Sequence, residues 1–206
     1  MDSTSSKIKI ELSDFYKLLK DFMSDLFNTF PEYKSQIGGE MLSVYESEEF
    51  NDDVKDTVGK IFEYCKHIFP ERFFDILYKN ENIFNDKTNT MFFPNVEFKD
   101  LWNEDISEQT KDVLWKYLQI TLFTIINDTN DNKSFGDTAK LFEAIDEDEL
   151  QKKMEDTFNN LSSLFDLSNN NFDMSGNFEN EFKNMTDEFM NDISNNDDLP
   201  DFSNLP

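Results

Sequence analysis

The sequence predicts an all-α protein: a single multi-helix domain packed around one buried central helix at 107–127, followed by a disordered acidic C-terminal tail. Three observations predict it. The stretch from Phe92 to Asn127 holds both tryptophans and the only long run that is apolar on nearly every side. The segments around it repeat apolar residues at i, i+3 and i+4 spacing, the signature of helices with one buried face. From Asp166 onward the composition turns to Asn, Asp and Glu and lacks the apolar content to order itself.

In a helix over 107–127, Asp112, Lys116 and Gln119 form one narrow polar stripe. Val113, Leu114, Trp115, Tyr117, Leu118, Ile120, Leu122, Phe123, Ile125 and Ile126 cover the rest of its circumference. A helix apolar over most of its surface is a central one, surrounded by others. Ser107 supplies an N-cap oxygen, and the Asn/Asp-rich stretch from Asn127 ends the helix. The apolar run is about 14 residues, short of the roughly 20 that a bilayer span needs, so it reads as a core helix.

Taken from the start, KIKIEL (7–12) alternates and reads as an extended lead-in or an isolated edge strand. Ser13 then caps a helix that Pro31 stops, with Phe15, Leu18, Leu19, Phe22 and Leu26 on its buried face. A short helix over 31–37 ends at Gly38-Gly39, and 41–50 holds another turn or two. Behind the acidic cap Asp52-Asp53, the residues Val54, Val58, Ile61, Phe62 and Cys65 mark an amphipathic helix.

Pro70 fits a first helical position, and Phe73, Phe74, Leu77 and Tyr78 give the next helix its apolar stripe. Residues 81–91 read as a polar loop anchored by Ile83 and Phe84; a short helix at 97–103 then directs Phe98, Leu101 and Trp102 at the central helix. Past the central helix, 137–145 forms a short helix with Ala139, Phe142 and Ile145 inward. Asp146 with Glu149 three residues on caps a last helix, whose stripe is Leu150, Met154, Phe158, Leu161 and Phe165. The expected division is a lead-in at 1–12, a helical domain at 13–165 and a tail at 166–206.

The tail carries ten acidic residues against the single base Lys183. Inside it Phe178, Phe182, Met185, Phe189, Met190 and Ile193 recur at helical spacing, a latent amphipathic helix at about 176–193. That helix folds back on the domain, or docks in a partner's groove, or belongs to an inert linker. Docking is the functional reading, because Met and Phe adapt to a groove while the acidic surroundings keep the free segment in solution.

Composition limits the partners. A formal net charge of -25 and a pI near 4.1 repel nucleic acid and anionic lipid, and favour basic proteins. One cysteine, Cys65, rules out an intramolecular disulfide and fits a reducing compartment. The start MDSTSSKIKI has no apolar signal-peptide core, so an intracellular location is expected. The Asn-x-Ser/Thr matches at Asn127, Asn132, Asn160 and Asn184 then read as chance in an Asn-rich chain.

Chemistry-bearing patterns are sparse. The five glycines match neither phosphate-loop spacing, and Cys65 with His67 falls short of the ligands a zinc site needs. At i, i+2 on a helix those two side chains point apart, which also argues against a Cys-His dyad. Asp128 to Ala139 imitates a calcium loop, but Lys133 stands at the glycine position and Ala139 at the closing glutamate; a second near-match from Asp173 fails at Phe178 and Asn184. No catalytic residue, cofactor or metal ligand is expected, and the acids read as solvated faces.

YCKHIFPERFFDILYKNENIF (64–84) and FFPNVEFKDLWNEDISEQTKDVLWKYLQITLF (92–123) resemble an uncharacterised family of acidic proteins from large nucleocytoplasmic DNA viruses of the mimivirus-like group. The likeness spans roughly 10–127, and the bias towards Asn, Ile, Lys and Phe suits an AT-rich genome. It implies a viral factory in the host cytoplasm, or a virion, and carries over no site residue. The expected function is a non-enzymatic interaction or scaffold protein that recruits a protein partner through acidic faces and the tail. The alternative is an acidic chaperone or nucleic-acid mimic for basic, histone-like packaging proteins.

Overall fold

In the computed structural model of the protein, the described residues are 12–85, 87–128, 141 and 144–167. Among them are seven α-helices and no strand: α1 Leu12–Thr29, α2 Gly39–Glu46, α3 Asp52–Ile68, α4 Phe73–Leu77, α5 Phe98–Asn103, α6 Glu108–Asp128 and α7 Glu147–Leu167. Short 3-10 turns at Pro31–Ser35, Pro70–Arg72 and Glu81–Phe84 join some of them. The all-α class follows from the spacing of apolar residues. The lead-in alternatives at 7–11, Ala139 and Phe142 of the 137–145 helix, and the tail from 168 lie outside the described residues, as does the side chain of Phe165.

Helix α6 is the centre. Leu114, Trp115, Tyr117, Leu118, Ile120, Leu122, Phe123, Ile125 and Ile126 are all buried, with Leu118 and Leu122 fully so. It packs against α1, α3, α4, α7 and the Pro70–Arg72 turn, which is why residues on every side of it leave water. The Ser107 hydroxyl accepts from the Thr110 N–H at 3.2 Å and the Asp146 carboxylate accepts from the Glu149 N–H at 3.1 Å. Both helix starts therefore satisfy a backbone donor as their sequences foretell.

Helix α1 turns eight residues inward, from Phe15 through Leu19, Phe22 and Met23 to Phe27, against α2, α3 and α6. Its Phe22 ring is a hub: Phe93 lies at 4.9 Å, Phe98 stacks at 5.6 Å and Tyr117 meets it edge-on at 5.3 Å. A second cluster stacks Phe84 on Trp102 at 4.5 Å, with Trp115 crossing Trp102 at 5.7 Å. Offset and edge-on pairs of this kind add about 0.5–1.5 kcal/mol each beyond the area they bury. The tryptophans thus lock α5 and the Glu81–Phe84 turn onto α6.

Four local expectations need correction. Ser13 is not the cap of α1, because the helix already includes Leu12. Gln119 stands in the polar stripe of α6 but is only 4% exposed. Its amide donates to the carbonyls of Ile76 and Leu77 at 3.2 and 3.3 Å, tying α6 to the end of α4. Tyr78 continues the predicted apolar stripe of α4 yet is 40% exposed, because α4 stops at Leu77 and the chain swings through a left-handed Lys79 at φ 52°. The cap of α3 is Asn51, whose side chain accepts from the Val54 N–H at 3.0 Å, so Asp52 and Asp53 occupy the first turn.

Candidate functional site

The tail residues Phe178, Phe182, Met185, Phe189, Met190 and Ile193 lie outside the described residues, as do the calcium-like segment Asp128–Ala139 beyond its first residue and the one from Asp173. The pair at the end of α3 separates as its spacing requires. Cys65 is fully buried, with its thiol donating weakly to the Phe92 carbonyl at 3.7 Å, while His67 is exposed. Burial pushes the Cys65 thiol well above its ordinary range, so it stays protonated and inert. Among the described residues no group of three or more His, Cys, Asp and Glu is arranged to hold a metal ion. Nor is any described helix long and apolar enough to cross a membrane.

Two features remain, and both come from polar residues that the apolar pattern leaves over. One is an acidic edge. Between the end of α2 and the first turns of α3, Glu46, Glu48, Glu49, Asp52, Asp53 and Asp56 are all exposed, with Lys55 the one base in the stretch. The segment is fixed from below: Tyr16 hydrogen-bonds the Ser47 hydroxyl at 3.1 Å, the Lys20 ammonium donates to the Ser47 carbonyl, and the Tyr16 and Phe50 rings pack at 5.1 Å. The carboxylates therefore stand on a built platform.

The other is a groove of about 690 Å³ between α6, α7 and the turn after α4. Lys79, Lys116 and Lys153 line it together with Asp112, Gln109, Gln119, Thr157 and Asn160. Lys79 and Asp112 pair at 3.1 Å, and the Lys153 ammonium sits 5.4 Å from the Tyr78 ring centre at the rim. The Thr157 hydroxyl donates to the Lys153 carbonyl at 2.8 Å within α7.

Lys116 joins this groove to a titratable cluster on α1. Burial lowers its pKa, and the nearby Asp25 and Asp21 carboxylates act to raise it again. Asp21 is raised above its usual 3.8 by burial, then by Asp25, with Lys116 opposing. The Tyr117 hydroxyl donates to Asp25 at 2.5 Å and is held protonated far beyond the ordinary tyrosine range, by burial first and by that bond second.

Sequence reasoning read Asp112 and Lys116 as a polar stripe and found neither the groove nor the α1 carboxylates beside it. Asp21 and Asp25 lie about 90 residues away in the chain, and no local pattern ties them to Lys116. Lys79 is likewise brought in by a turn whose conformation its sequence does not announce. Comparison with protein-family models, curated proteins and solved structures finds no match to this chain.

Proposed function

We propose that the chain is a non-enzymatic interaction or scaffold protein that recruits a basic protein partner through its acidic faces, with the tail residues Phe178, Phe182, Met185, Phe189, Met190 and Ile193 as a second contact. The observation that carries this reading is the edge at Glu46–Asp56, where six exposed carboxylates stand on one anchored segment. A fixed array of like charges costs self-repulsion in the free protein. A Lys/Arg-rich surface docked on it relieves that repulsion and gains charge-assisted hydrogen bonds. The viral resemblance of 64–84 and 92–123 makes a viral factory or virion the setting we favour.

The same charge supports the second reading, an acidic chaperone or nucleic-acid mimic for basic packaging proteins. The two differ in what the partner reads. A chaperone holds any polycation through the edge alone, with affinity falling steeply as salt rises. A scaffold also needs the tail's apolar side chains and keeps part of its binding in salt.

Affinity capture from infected cells tests both. The baits are the full chain, a chain lacking 166–206, and a chain with the six carboxylates changed to Gln or Asn. Loss of a specific basic protein on each change made alone supports the scaffold. Loss on neutralisation only, with histone-like proteins captured at low salt, supports the chaperone. Retention by both altered baits sinks the acidic-face proposal.

A further inference from the structure

We draw no further inference here: the strongest candidate, the groove between α6, α7 and the turn after α4, has its Lys79 paired with Asp112 and its Gln119 and Thr157 bonded to backbone carbonyls, and nothing in the structure shows what covers it.

Discussion

The Tyr117 hydroxyl donates to the Asp25 carboxylate at 2.5 Å across 92 residues of sequence. This bond ties the central helix to α1 beside the Phe22 hub, where the Tyr117 ring packs edge-on. It places a charge-assisted contact at the border of the apolar core.

Tyr117→Phe should destabilise the domain by about 1–2 kcal/mol, the usual worth of a hydrogen bond to a charged group whose acceptor still reaches water. The pH dependence is specific. Folding raises the pKa of Tyr117, and that of Tyr33 to about 12, so their contribution is complete below the unfolded value of 10.0. It is lost as pH rises beyond that value, where the unfolded chain sheds protons that the fold retains. Urea denaturation from pH 8 to pH 11 should show a shallower alkaline loss in the variant; parallel curves would contradict this role for the hydroxyl.

Thr121 is fully buried in α6, and its hydroxyl has no hydrogen-bond partner. Its neighbour Thr124 instead donates to the Ile120 carbonyl at 2.9 Å. Thr121→Val keeps the branched shape and removes the unpaired polar group, so it should stabilise the protein by about 1 kcal/mol. Thr124→Val should stabilise less or not at all. A lower denaturation midpoint for Thr121→Val means the hydroxyl is satisfied in solution.

Asp21 is half-buried, and its raised pKa reflects burial first and Asp25 second. A raised carboxylate favours the fold below its unfolded pKa and loses that contribution as pH climbs through the folded value. At pH 7 the ionised group therefore opposes folding. Asp21→Asn should raise the midpoint at neutral pH by under about 1 kcal/mol, a gain limited by solvent screening. Near pH 3 the gain should vanish; a net loss at pH 7 would mean that attraction to Lys116 outweighs both opposing effects.

Leu118 and Leu122 are fully buried on α6. Each change to Ala should cost about 2–5 kcal/mol through lost burial and a residual cavity. A cost under about 1 kcal/mol at both sites, in thermal or urea unfolding, is incompatible with a central α6.

Cys65 should resist thiol reagents in the native protein, being fully buried with a raised pKa. Labelling should proceed only through unfolding, so its rate should climb with urea along the same curve as the loss of helix signal. Rapid labelling in buffer would place the thiol within reach of solvent.

Much of this architecture was legible in the chain because helices write their buried faces locally. The spacing of Phe15, Leu18, Leu19, Phe22 and Leu26 is enough to aim α1, and Leu150, Met154, Phe158 and Leu161 are buried on α7 as their spacing requires. Ser107 and Asp146 mark helix starts because a cap is a contact within three residues. Gln119 shows where such reading stops. Its amide looks like part of a solvent stripe until the end of α4, about 40 residues earlier, supplies two carbonyls to receive it.

The sequence by itself determined that the chain is helical, that its centre lies at 107–127, and that its exterior is strongly acidic, since all three depend on residue type and short-range periodicity. Only the tertiary structure decided what the leftover polar residues do. It set Lys79, Lys116 and Lys153 around one groove, brought Asp25 to Tyr117, and held six carboxylates along one anchored edge. The reason is physical: apolar burial follows a pattern repeated every few residues, whereas a polar group's partner is chosen by how whole helices pack, at separations no local pattern records.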